Sequence, residues 1–154
     1  MSYVVRGLDP TPYKPLFGLP DEELAKRGVV RMTVDDPTFP CRVSLTDRAP
    51  GEKVLLLNHL SHDVANPYRA SHAIFVTETD QDAAEYVDEV PPVFKRRVLS
   101  LRGFDRDGMM AEAILTQPGE AEEGIRKLFA NPEVETIHAH NATRGCFSAK
   151  IERN

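Results

Sequence analysis

The sequence predicts an α+β protein built on a mostly antiparallel sheet, with two or three helices and a C-terminal β-hairpin. Three observations predict it. Short branched and apolar segments come in runs rather than alternating with helices, which argues against a doubly wound fold. Asp107-Gly108 separates two such segments, a strong short-range hairpin signal. The last two segments, Val134 to His140 and Cys146 to Ile151, flank a loop containing Gly145 and close the chain as a second hairpin.

Taken in order, Tyr3 to Gly7 reads as a short strand. Prolines at 10, 12 and 15 fix φ and remove donors, so the next stretch is expected to be extended. Pro20 suits the first turn of a helix whose positive end Asp21, Glu22 and Glu23 complement, and Gly28 stops it. Val29 to Val34 and Cys41 to Leu45 read as strands, the second from its alternation, and Ala49 to Glu52 as a turn. Val54 to Asn58 is a continuous apolar run, hence a strand buried on both faces, followed by a polar loop from His59 to Arg69.

His72 to Thr77 is another strand. The acidic residues from Glu78 to Glu89, around Asp80, Gln81 and Asp82, read as a solvated loop. Pro91-Pro92 introduces a short helix through Arg97. Leu99 to Phe104 and Met109 to Leu115 form the first hairpin. Pro118 to Phe129 is the clearest amphipathic helix, with Ile125, Leu128 and Phe129 on one face, and Asn131-Pro132 ends it.

At 154 residues the chain is expected to be one domain spanning 1–154, large enough for a substantial core. A net charge of -5 with scattered Lys and Arg lacks the footprint of a phosphate-backbone binder, so no nucleic-acid partner is expected. The longest apolar runs fall far short of the roughly 18 residues of a membrane span, so no membrane association is expected either. Two cysteines are too few for a disulfide scaffold, and nothing resembles an export signal. A cytoplasmic protein with free thiols is the expectation.

The chemistry-bearing residues fall in three knots: Cys41-Arg42; Tyr68, Arg69, Ser71 and His72; and His138, His140, Asn141 and Cys146. Side chains on a strand alternate faces, so His138 and His140 point the same way. Such a pair, with His72, Cys146 or Asp63 as a third ligand, could hold zinc with an open position. No His-x-x-x-His or Cys-x-x-Cys spacing reinforces that reading, and one histidine packed in the core with the other solvated explains the pair equally. The cofactor is therefore left open. Cys41 or Cys146 could serve as a thiol nucleophile, although no nucleophile signature surrounds either, and a buried cysteine usually acts as a small hydrophobe. Arg42, Arg69 and Arg102 carry the forked geometry that binds carboxylate or phosphate, and any one of them could instead pair with a nearby acid.

The segments FPCRVSL (39–45), VLLLNH (54–59), PYRASHAIFV (67–76), LSLRGFDRDGMM (99–110) and HAHNATRGCF (138–147) resemble the bacterial domain-of-unknown-function family 1203 along nearly the whole chain. The resemblance implies a single bacterial domain. It supplies no activity, substrate, cofactor or catalytic residue. Its characteristic blocks coincide with the three polar knots.

These observations lead to one expectation and one rival. The expectation is a single pocket that binds a small anionic molecule and, if the protein is an enzyme, acts on it. In it His72, His138 and His140, with Cys41 and Cys146, are the catalytic candidates. Arg42, Tyr68, Arg69, Ser71, Arg102 and Asn141 hold the ligand. The rival is a non-catalytic interaction protein, a homodimer, in which the same polar residues are structural.

Overall fold

The computed structural model describes residues 1–79 and 81–154; the sequence reading at Asp80 lies outside the described residues. The expected α+β architecture is present. Among the described residues nine strands form two antiparallel sheets. The larger sheet has the order β5-β1-β9-β8-β6-β7, from β1 (Tyr3–Arg6), β5 (Glu85–Val87), β6 (Leu99–Phe104), β7 (Met110–Thr116), β8 (Thr136–Asn141) and β9 (Phe147–Arg153). The smaller has the order β2-β3-β4, from β2 (Val30–Thr33), β3 (Lys53–His62) and β4 (Ala70–Thr77). The helices are α1 (Asp21–Lys26), α2 (Pro92–Lys95) and α3 (Ala121–Phe129). β8 and β9 form the C-terminal hairpin.

Strict alternation explains the large sheet. Leu99 and Leu101, Ile137 and Ala139, and Ala149 and Ile151 face a core closed by Ile125, Leu128 and Phe129 of α3. The opposite face carries Ser100, Arg102, His138 and His140, and there the small sheet packs. A second core forms from Leu55, Leu57, Ile74 and Val76 of the small sheet with Leu24 of α1. Among the described residues no helix is long and apolar enough to cross a membrane.

Several expectations are corrected. Cys41 to Leu45 is a turn, not a strand. The Leu45 N–H returns to the Cys41 carbonyl at 2.9 Å, and Leu45 has a φ of 55°. Its alternation reflects a loop wedged between the cores, with Cys41 and Val43 in one and Leu45 in the other. The proline stretch is coiled rather than extended: the Tyr13 N–H reaches the Pro10 carbonyl at 2.9 Å, and Lys14–Leu16 is a 3-10 turn. Proline's fixed φ suits that turn as well as an extended chain.

β3 continues through His62, so residues 59–62, expected as loop, are strand, with a bulge between Leu60 and His62. Within the acidic segment, Glu85–Val87 pairs with β1, and Glu78 is half-buried against Arg31, its carboxylate accepting two bonds at 2.7 Å. α3 begins at Ala121, because Gly119 adopts a φ of +90° and turns the chain before it.

Candidate functional site

All five histidines of the chain converge where the two sheets face one another. The registers bring them there. His59 lies opposite His72 across β3 and β4, and Arg102 lies opposite His138 across β6 and β8. Ring centroids are 4.8 Å apart for His72 and His140, 5.0 Å for His62 and His138, and 6.5 Å for His138 and His140. Phe104 stacks beside His62 at 4.2 Å and His138 at 4.9 Å, and Phe147 lies edge-on to His138 at 5.4 Å.

Hydrogen bonds orient most of these rings. His140 donates from Nδ1 to the Gly145 carbonyl at 2.9 Å, leaving its Nε2 as an acceptor. His62 donates from Nε2 to the Gly108 carbonyl at 2.8 Å. The Ser61 hydroxyl donates to the Ala70 carbonyl at 3.1 Å and therefore accepts from Nδ1 of His72 at 2.6 Å. Nδ1 of His59 bonds the Tyr13 hydroxyl at 3.1 Å. Among the described residues no hydrogen bond reaches the His138 ring.

Burial lowers the proton affinity of His72, His138 and His140. Burial pushes His138 down to about 3, with His62, His140, Lys150 and Arg102 adding to the effect. Burial likewise brings His140 to about 4; the Gly145 carbonyl opposes the shift while Arg102 and His72 reinforce it. His72 is lowered by burial and by Arg102. At neutral pH His72, His138 and His140 are thus uncharged imidazoles, each with one N–H donor and one acceptor nitrogen.

Between the sheets lies a cleft of about 210 Å³, and His72, Arg102, His138 and His140 line it with Tyr68, Arg69 and Phe104. Arg102 is half-buried, its Nε donates to Ser100 Oγ at 3.3 Å, and no carboxylate among the described residues pairs with it. Burial lowers its pKa from the ordinary arginine value. Arg69, also at the cleft, is instead exposed and paired with Asp63.

The single expected pocket is in fact two cavities. Arg42, Ser71, Asn141 and Cys146 line a separate groove of about 1060 Å³, and His72 is the residue common to both. Arg42 is 2% exposed; it donates to the Phe147 carbonyl at 2.9 Å, the Pro40 carbonyl at 2.7 Å and Cys146 Sγ at 3.3 Å. Burial lowers its pKa and Cys146 opposes that shift.

Cys41 lines neither cavity. It is fully buried, accepting from Thr77 Oγ1 at 3.0 Å and Gln81 Nε2 at 3.4 Å. Burial pushes its thiol up, but hydrogen bonds from Ser44 and Thr77 outweigh this and hold it below the ordinary value. Its packing is that of a core residue. Both cysteines are free thiols.

Among the described residues, no three His, Cys, Asp or Glu side chains are arranged to hold a metal ion. For the histidine triad considered from sequence the reasons are physical. The ring centroids of His138 and His140 are 6.5 Å apart, and the Arg102 guanidinium lines the same cleft. A fixed positive charge there disfavours a cation and favours an anion.

His59, His62, Ser61, Phe104 and Met110 belong to this layer or its cleft and were not among the sequence candidates. Period-two alternation along β3 would have given His59 its face, but its register opposite His72 and the bulge that turns His62 inward leave no sequence mark.

Fold and site together define a class: an α+β protein of two facing antiparallel sheets, with an imidazole-lined, arginine-bearing cleft between them. The chain belongs to the family described as "Protein of unknown function (DUF1203)", whose model matches residues 38–153. No curated protein and no solved structure matches it.

Proposed function

We propose that the cleft binds a small anion, with Arg102 as its counter-charge and the imidazoles of His72, His138 and His140 as its walls. The observation that carries this reading is the half-buried Arg102, which has no carboxylate partner among the described residues and faces rings that burial keeps neutral. A half-buried cation without a counter-ion is costly, and an anion entering the cleft would relieve that cost.

Size limits the ligand. A volume of about 210 Å³ accommodates on the order of half a dozen waters, so phosphate, sulfate or a short carboxylate is the fitting class. A bound anion would also raise the proton affinity of His138 and His140, converting acceptors into donors and preparing them for acid catalysis on the ligand.

Isothermal titration with phosphate, sulfate and malonate tests the reading on the wild type and on Arg102→Gln. Saturable binding that Arg102→Gln weakens by about tenfold or more supports it, since the charge-assisted bonds are lost. Equal binding by the two proteins, or no binding by either, rejects it.

A second reading rests on β7, which pairs with β6 alone at the rim of the large sheet and leaves Leu115 62% exposed. An open edge with apolar residues can pair with a second copy of the chain. Sedimentation of the wild type as a dimer, and of Leu115→Lys as a monomer, supports self-association there; a monomeric wild type rejects it.

A further inference from the structure

The groove of about 1060 Å³ differs from the cleft in size and in chemistry. Its apolar surface comes from successive strands of the small sheet. Leu56 of β3 and Phe75 of β4 are register partners, Met32 of β2 lies nearby, and Phe39 packs on Phe75 with ring centroids 4.8 Å apart. All four side chains are only half-buried, an apolar lining left open. Its volume is at the upper end of the roughly 300–1,000 Å³ characteristic of ligand sites.

The charge at one end is unbalanced. Arg97 makes a bidentate pair with Asp47 at 3.0 and 2.6 Å, and Arg96 approaches the same carboxylate at 3.9 Å. Arg42 adds a third guanidinium, close enough to Arg97 for its pKa to be affected. Arg96 and Arg97 therefore share one carboxylate, while Arg42 is held by two carbonyls and Cys146 Sγ. Of the other charged residues in the lining, Asp36 has Arg144 as a charge neighbour and Asp35 is exposed. Arg96, 3.9 Å from a carboxylate that Arg97 already holds, is the guanidinium of this wall without a close anionic partner of its own.

We infer that this groove is a second ligand site, for a carboxylic acid with an extended apolar body. The carboxylate lies against Arg96 and Arg97, and the body lies over Phe75, Leu56 and Met32. Neither half of the groove explains itself alone. A purely apolar ligand leaves Arg96 without a close anionic partner, and a small inorganic anion leaves the apolar wall wet.

Cys146 supplies the readout. It lines the groove and is half-buried, whereas Cys41 is fully buried, so a neutral alkylating agent should reach Cys146 first. With iodoacetamide an S–C bond forms, iodide leaves and the thiol proton passes to solvent. Alkylation, followed by mass spectrometry, is measured with decanoate, with decanol, and with no addition.

Decanoate is expected to slow modification by about tenfold at saturation, and decanol far less, because the carboxylate supplies the charge-assisted contact. Arg96→Glu, at an exposed position, should remove the protection, while Arg102→Gln in the separate cleft should leave it intact. Isothermal titration of decanoate against the same proteins gives the result independently of thiol reactivity. Equal protection by decanol, no binding of decanoate, or loss of protection in Arg102→Gln would each overturn the assignment. Because Arg102→Gln disables the cleft alone, failure of the small-anion reading and failure of this one are distinguishable.

Discussion

Arg102 stands directly opposite His138 in the antiparallel register of β6 and β8, a fixed cation beside an imidazole that has no hydrogen-bond partner among the described residues. The pairing is repulsive once His138 is protonated. Burial is nevertheless the larger cause of the depressed pKa of both His138 and His140. Arg102→Gln should therefore raise both values by a modest amount and leave both well below the ordinary histidine value. Titration of the ring proton resonances checks this. Normal values in the variant would mean that Arg102, and not burial, keeps the layer neutral.

The same burial makes stability depend on pH with a definite sign. An unfolded histidine takes up a proton near pH 6.5, while folded His138 and His140 resist until about 3 and about 4. Below pH 6.5 the unfolded state binds more protons, so stability falls as pH drops, by about 1.4 kcal/mol per pH unit for each histidine. The carboxylates with lowered values, such as Glu52 and Glu78, act in the same direction only below about pH 4.5. Urea unfolding at intervals between pH 7.5 and pH 5 isolates the histidine contribution (window chosen about the ordinary histidine value). His138→Gln should flatten the slope by one histidine's share, about 1.4 kcal/mol per pH unit, and leave the part due to His59, His72 and His140.

Much of this site was legible in the sequence, and the reasons for the rest are physical. His138 and His140 could be placed on one face because side chains alternate along a strand and β8 pairs with β6 without a bulge from Thr136 to Asn141. Cys41 was misread because a buried loop wedged between two cores alternates as a strand does. The division of one expected pocket into two could not be read locally. It depends on sheet order, which brings Arg42, Arg97 and Cys146 to one wall from three distant parts of the chain. The family resemblance seen in the sequence is the relationship the family model shows.

Gly108 couples a turn to the histidine layer. Its φ is +75°, and a Cβ there would come within 2.6 Å of Val64 Cγ1 and 3.3 Å of His62 Nε2. Its carbonyl is the acceptor that holds His62. Gly108→Ala should cost about 2 kcal/mol, from the left-handed backbone and the displaced Val64 together. The His62 resonances should move in the same variant, because its acceptor shifts with the turn. Unchanged stability by chemical denaturation would show that the loop adapts freely.

Arg42 is the largest of the fully buried side chains, and its charge is met by two carbonyls and a sulfur rather than by a carboxylate. Truncation to Ala leaves a cavity and strands the carbonyls of Pro40 and Phe147 without donors, so a loss of about 3 kcal/mol or more is expected. Arg42→Lys keeps the charge but cannot reach three acceptors with one ammonium, and should recover part of that loss. If charge alone mattered, Lys would restore full stability; if packing alone mattered, Arg42→Met would equal or exceed Lys. Urea midpoints for the three variants separate these cases, and the geometry predicts the order Arg above Lys, Lys above Met, and Met above Ala, because the forked donors contribute beyond both charge and volume.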